Sequence, residues 1–267
     1  MVIPLHSAHE LSHSGTVLRK YLCENHRPLS IQLDALRISQ LAPYHHNACE
    51  VIVNELKLWR KVLGPRRLAS LELHYQKDML EPYQITELIH CIASEFEIKN
   101  PAYRVVLRSE CANAGILALL KGLGFMQCQF LIEHAKFISA DDLASSFKLA
   151  RKFQFDAIGV QITHSEDMIK VSQSIKALNN QLHPDYISIG QSTAKLTADD
   201  CKQGLTLFED DLIDRDTDFL CLGPEAVSEL GDLKLDSISD PARYVDEIQQ
   251  RHLPVNLPPQ LTDDTKQ

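Results

Sequence analysis

Residues 42–50, APYHHNACE, hold the densest group of metal-type ligands in the sequence. His45, His46 and Cys49 fall directly after a predicted strand. Zinc takes three or four ligands of these types, so a further ligand such as His74 from the next strand end would be needed. Two other interpretations stay open. The segment can be a polar loop without a metal, or Cys49 can be a thiol made acidic by a helix N-terminus that begins at Asn47.

A second set of candidate residues follows the predicted strands. It consists of His74, Tyr75, Arg108, Glu133, Gln161 and His164. Because the carboxyl ends of parallel strands meet at one edge of a sheet, these side chains are predicted to line a polar pocket. Arg108 can hold the carboxylate of a ligand there. The alternative is an edge filled by salt bridges, with Arg108 and Glu133 as possible partners.

Short apolar segments between turn signals predict the strands that position these residues. They are residues 28–35, 69–75, 103–109, 128–133, 155–162, 185–190 and 217–223. Helical periodicity lies between them, over residues 47–64, 84–96, 113–125, 140–153, 165–181 and 197–208. Alternation of this kind predicts an α/β fold with parallel strands, organised as a partial (β/α) TIM-like barrel. A doubly wound sheet is the second possibility.

Composition narrows the class of protein. The 267 residues carry a net charge of −9, which disfavours binding to a nucleic acid backbone. No segment reaches the roughly 18 apolar residues of a membrane span, and no signal peptide is visible, so the predicted location is cytoplasmic. The seven cysteines have no C-x-x-C spacing. They are predicted to be mostly buried thiols, not a disulfide framework.

The chain is predicted to have three parts. Residues 1–27 form an N-terminal helical extension, residues 28–251 the barrel domain, and residues 252–267 a disordered tail.

Several strings over residues 19–250 resemble the oxygen-independent coproporphyrinogen III oxidases, radical S-adenosylmethionine (SAM) enzymes of haem synthesis. The strings are RPLSIQLDA (27–35), EPYQITELI (81–89), LLKGLGF (119–125), LHPDYISI (182–189) and DTDFLCLGPEAVSELGD (216–232). Their order and spacing match those of the family. The resemblance implies a barrel of the radical SAM type.

The resemblance also implies an iron–sulfur cluster on C-x-x-x-C-x-x-C after the first strand, with SAM on the open iron. In this sequence Ile38, Ala42 and His45 stand at the three cysteine positions. The glycine-rich turn that contacts SAM is replaced by LHYQKD (73–78), and Arg108 stands where the family has a glutamate. Three-thiolate ligation is not available from this segment. No cofactor is therefore predicted, although the family uses both.

The sequence thus predicts a catalytically degenerate homologue of these oxidases. It would be a binding or regulatory protein of haem or porphyrin metabolism, with a tetrapyrrole or another small molecule as ligand. One alternative is residual coproporphyrinogen III oxidase activity with an atypical cluster. The other is a protein-interaction module that pairs with the true oxidase.

Overall fold

The computed structural model describes residues 12–22, 24–132, 140–162, 184–189, 216–258 and 261. Its helices are α1 (His13–Leu22), α2 (Ala35–Ser39), α3 (Ala48–Leu63), α4 (Pro82–Glu95), α5 (Ala114–Gly122), α6 (Ala140–Lys152) and α7 (Pro241–Gln249). Its strands are β1 (Leu29–Asp34), β2 (Arg67–Tyr75), β3 (Glu97–Leu107), β4 (Gln127–Ile132), β5 (Ala157–Ile162), β6 (Tyr186–Ile189), β7 (Asp218–Cys221), β8 (Val227–Leu230), β9 (Leu233–Ser237) and β10 (Val255–Asn256). The predicted helices at 165–181 and 197–208 lie outside the described residues.

The strands form one open sheet in the order β10-β9-β8-β7-β1-β2-β3-β4-β5-β6. All seven predicted strands are confirmed, and β7 and β1 to β6 are parallel. From β1 to β6 each new strand is added on the same side of the previous one. Right-handed crossovers in one direction place their helices on the same face, which is the arrangement of a barrel and not of a doubly wound sheet. The fold is therefore a partial (β/α) barrel.

Side-chain alternation gives the sheet two different faces. The apolar face carries residues such as Leu33, Leu73, Val105 and Phe130, which are buried in the core together with the inner sides of the helices. The opposite face, here called the polar face, carries the intervening residues of the same strands. Asn47 caps α3 as predicted by accepting a hydrogen bond from the Glu50 amide, and Gly64 ends the helix at a φ of 69°.

The carboxyl-terminal part of the chain contains elements that the sequence analysis missed. Strands β8, β9 and β10 and helix α7 were not predicted, and the three strands join β7 in an antiparallel arrangement beyond the parallel part of the sheet. The prediction of a disordered tail is wrong for residues 252–258, because β10 pairs with β9 and both Leu253 and Pro254 are buried. Leu261 is buried as well. In the described part of the predicted N-terminal extension, α1 packs against α3.

A buried ion pair joins the start of β7 to the rest of the sheet. The side chains of Arg66 and Asp218 are each 1% exposed, and Arg66 Nη1 donates to Asp218 Oδ2 at 2.8 Å. Asn25 Nδ2 donates to the same oxygen, and the Gly231 amide donates to Asp218 Oδ1, both at 2.8 Å. Arg66 also donates to the carbonyl oxygen of Arg27. Segments that are distant in sequence therefore meet at one carboxylate.

Replacing Asp218 by alanine is expected to destabilise the protein by about 3–5 kcal/mol, because it leaves the buried Arg66 cation without its partner. Urea unfolding followed by Trp59 fluorescence measures this loss. The matched control is K99A, which breaks the exposed Lys99–Glu97 pair and is expected to cost roughly 0–1 kcal/mol. Equal losses in the two variants would contradict the role given to Asp218.

Candidate functional site

A row of polar side chains crosses the polar face of the parallel strands. The strand register places Gln32 of β1 beside Glu72 of β2, Glu72 beside Arg104 of β3, and Arg104 beside Gln127 of β4. Each of these residues is partly buried. Within every strand the neighbouring residues point to the apolar face, so the row results from period-two alternation.

Glu72 is the acceptor at the centre of this row. Its Oε1 accepts hydrogen bonds from His74 Nε2 at 2.6 Å and Gln32 Nε2 at 2.9 Å, and its Oε2 accepts from Arg104 Nη1 at 3.3 Å. Burial alone would raise the pKa of Glu72. The hydrogen bond and charge of His74, the charge of Arg104 and the hydrogen bond of Gln32 outweigh burial and lower the pKa to about 2. The carboxylate is therefore ionised at neutral pH.

The ionised Glu72 decides which nitrogen of His74 carries the proton. A carboxylate only accepts hydrogen bonds, so the Nε2 atom that lies 2.6 Å from it must be the donor. In a neutral ring Nδ1 then keeps its lone pair. Among the described residues no hydrogen bond is made to Nδ1, and the side chain is 28% exposed. When its ring is neutral, His74 thus presents an oriented acceptor at the carboxyl end of β2, and when the ring is protonated Nδ1 is a second donor.

Two cationic side chains, Arg37 and Arg108, lie on neighbouring elements at the same edge. Asp34 pairs with His74 across β1 and β2, and its side chain accepts a hydrogen bond from the Leu36 amide at the start of α2. Arg37 Nε lies 3.7 Å from Asp34 Oδ2. Arg108, directly after β3, has its Nη1 3.9 Å from Glu110 Oε1 and is 38% exposed. Both cations therefore lie at the carboxyl edge of the strands, as His74 does.

The structure brings together only part of the predicted pocket. His74, Arg108 and Gln161 fall on the polar face by alternation, and Gln161 Oε1 is a buried atom without a hydrogen-bond partner among the described residues. Tyr75 instead packs against the core on the other face, and burial raises its pKa. Its assignment to the pocket is therefore corrected. Glu133 and His164 lie outside the described residues, so the predicted Arg108–Glu133 pair stays a prediction.

Sequence reasoning missed Gln32, Glu72, Arg104 and Gln127. The signal was present, since polar residues recur at every second position inside apolar strands, as in Gln32–Asp34 and Glu72–His74. Only the register of parallel strands shows that these residues form one row.

The three candidate metal ligands after β1 do not converge. Cys49 is fully buried on α3, whereas the His45 ring packs against the His46 ring with centroids 4.6 Å apart. His45 Nδ1 is 2.8 Å from the carbonyl oxygen of Asn47. Within the ranges that the structure describes, no group of three His, Cys, Asp or Glu side chains could hold a metal ion.

The interpretation of Cys49 as an acidic thiol is wrong. Burial, followed by the charge of Glu87 on α4, raises the pKa of Cys49 to about 12. The helix N-terminus does not overcome the loss of solvation, because the thiol points into the core.

The segment at the expected cluster position is partly packed into the core. Ile38 on α2 and Leu41, two residues after α2 ends, are each 0% exposed, whereas Ala42 is exposed. The residues matched to the three cysteines are thus a core isoleucine, a surface alanine and a histidine bonded to the backbone. This donor set does not fit an iron–sulfur cluster, which requires thiolates at these positions.

Comparison with solved structures shows the same fold in a known enzyme. Coproporphyrinogen III oxidase from Escherichia coli, a radical SAM enzyme, matches with a TM-score of 0.67 at 13% identity, over 91% of this chain and 73% of that chain. The likeness shows that this chain has a radical-SAM-like fold. A Burkholderia cenocepacia protein proposed as a phosphonomutase matches over 72% of this chain and 90% of that chain at 12% identity, but its TM-score of 0.34 supports no inference. No family model and no curated protein matches the sequence.

No helix in the described residues is both long and apolar enough to cross a membrane.

Replacing Glu72 by glutamine is expected to cost about 2 kcal/mol at pH 7, because the ionised acceptor of three hydrogen bonds is lost. The lowered pKa makes the contribution of Glu72 fully present above pH 4.5, its ordinary pKa, and removes it as the pH falls towards 2. The stability difference between wild type and E72Q, measured by urea unfolding, should therefore shrink over this pH range. E110Q, at a carboxylate that is 65% exposed, is the control and should cost roughly 0–1 kcal/mol at pH 7.

Proposed function

We propose that this chain is a catalytically inactive relative of the radical SAM oxidases that uses its polar face to bind a ligand in haem or porphyrin metabolism. The observation that carries the proposal is the segment after β1. Ile38 and Leu41 are packed in the core where a cluster-binding loop would need exposed thiolates. The chemistry that depends on a cluster is therefore lost, while the sheet that supports the site is kept.

The chemistry at the carboxyl edge of the strands supports a ligand with carboxylates and N–H donors. The neighbouring solved enzyme is named for coproporphyrinogen III, a tetrapyrrole. Carboxylates of such a ligand suit the Arg37 and Arg108 cations at the strand ends, and a pyrrole N–H suits the oriented Nδ1 acceptor of His74. Charge-assisted hydrogen bonds of this kind give orientation as well as affinity.

The first test is the iron and acid-labile sulfide content of protein purified without oxygen and then reconstituted with iron and sulfide. Both are expected far below one cluster per chain, with no visible absorbance band of a cluster and no SAM cleavage. A stoichiometric cluster together with SAM cleavage would contradict the proposal and support residual oxidase activity with an atypical ligand set.

The second test is calorimetric titration with haem, with coproporphyrinogen and with SAM. A tetrapyrrole is expected to bind and SAM is not. H74A should weaken tetrapyrrole binding roughly 5–10-fold, since one hydrogen bond contributes about 1 kcal/mol. H46A, at an exposed histidine outside the polar face, is the matched control and should bind like wild type. If neither tetrapyrrole binds, or if H74A and H46A bind alike, the proposed ligand site is wrong.

A further inference from the structure

A carboxyl group is fully buried on the side of α3 that faces the carboxyl-terminal elements. Glu55 is 0% exposed and lies between α3, the loop after β7 and α7. The Tyr244 hydroxyl of α7 donates to Glu55 Oε2, and the Gly223 amide lies 3.3 Å from the same atom. Trp59 Nε1 donates to Glu55 Oε1 at 3.4 Å. Among the described residues, every hydrogen-bond partner of Glu55 is thus a donor, and none is a cation.

The two protonation states of Glu55 satisfy this cluster in different ways. The ionised carboxylate accepts from all three donors, but the described residues supply no counterion for a charge that is 0% exposed to solvent. The neutral carboxyl has no charge, but its extra O–H must find an acceptor. The nearest oxygen is the Tyr244 hydroxyl, which already receives the Gly223 amide at 3.1 Å and would have to give up its own bond to Glu55. The ionised form is therefore unfavourable because its charge is buried, and the neutral form is unfavourable because its O–H competes with the Tyr244 hydrogen bond.

The cluster holds one helix and one loop in place. Tyr244 is the fully buried anchor of α7, and Gly223 is the residue by which the loop after β7 touches α3. Gly223 has a φ of +102°, and a Cβ atom there would lie 3.1 Å from Arg37 Cβ on α2. The position of this loop is therefore linked to α2 at the carboxyl edge of the strands.

We propose that Glu55 is a one-proton switch whose ionisation rearranges the hydrogen bonds that hold α7 and the loop after β7 on α3. The neutral form weakens the Tyr244 bond, whereas the ionised form tightens it. The inference does not depend on the proposed ligand or on the absence of a cluster.

The groups that act on Glu55 place its titration in the neutral pH range. Burial raises the pKa of Glu55 to about 7, against the opposing hydrogen bonds of Tyr244, Trp59 and Gly223. Tyr244 on α7 and Cys221 on β7 are the titratable groups that interact with it. Burial raises the pKa of Tyr244 well above its ordinary value and that of Cys221 to about 12, so both stay neutral while Glu55 titrates.

Charged residues on the other elements around α3 affect the pKa values of groups other than Glu55. Arg37 of α2 acts on Cys221, and Glu87 of α4 acts on Cys49. Arg19 and Lys20 of α1 are exposed to solvent. The proton equilibrium of Glu55 is therefore set mainly by its own burial and its three donors.

The experiment follows the fluorescence of Trp59, the single tryptophan, whose indole N–H bonds to Glu55. In folded wild-type protein the emission is expected to change between pH 5 and 9 as one proton step with a midpoint near pH 7. E55Q should abolish the step. Y244F should move the midpoint upward by about one pH unit, since the ionised form loses a donor. E50Q, at an exposed glutamate of the same helix, should keep the wild-type midpoint.

Hydrogen exchange at pH 8.5 gives a second measurement that compares variants at one pH. Wild type, with Glu55 ionised, should protect the α7 amides and the Gly223 amide more strongly than Y244F does. A flat Trp59 emission in wild type, a step that persists in E55Q, or equal protection in wild type and Y244F would overturn the proposal. If E55Q does not fold, the direction of the Y244F midpoint shift decides the question, and a downward or absent shift refutes the switch.

Discussion

The position of β7 beside β1 depends on the buried carboxylate of Asp218. This residue begins β7 and receives donors from the segment before β2, the segment before β1 and the turn between β8 and β9. Because a buried charge without its partners costs several kcal/mol, the carboxylate is stable only where all of these segments meet. The pair therefore specifies the edge at which the parallel sheet stops and the antiparallel β8, β9 and β10 are added. Asp218 belongs to DTDFLC (216–221), the start of one of the segments that resemble the oxidases. The buried ion pair gives a structural reason for the aspartate in that segment.

The one-directional order of β1 to β6 has a consequence for function. In the described part of the chain the helices between these strands lie on one face, and the other face carries polar side chains on β1 to β4. Near the middle of the strands these side chains satisfy one another, as Gln32, Glu72 and Arg104 do. Towards the carboxyl ends an acceptor on His74 is left open. A fold of this type supports many functions, so the chemistry of this edge, and not the fold, is the basis for the proposed ligand.

Prediction from the sequence worked well where the signal was local. The parallel strands were predicted because each is a short apolar segment bounded by breakers, and α3 because Asn47 and Gly64 mark its ends. The missed α7 also carried a local signal, with Asp240 as its N-cap and Pro241 as its first residue. Strands β8 and β9 alternate apolar and polar residues around Gly231 but are short. The order of residues 252–258 is not predictable from their composition, because the burial of Leu253 depends on the pairing of this segment with β9.

By itself the sequence determined which side-chain atoms are available. It predicts alternating strands and helices, and it has no thiolates at positions 38, 42 and 45 for a cluster. Ligand identity is a property of single residues, so it needs no structure. The tertiary structure decided where those atoms lie and what charge they carry. Cys49 became an inert core thiol, His74 received a fixed proton, and Glu55 became a buried acid held by Tyr244, 189 residues away. Burial raises the pKa values of Cys49 and Glu55, and it comes from residues that only folding brings together.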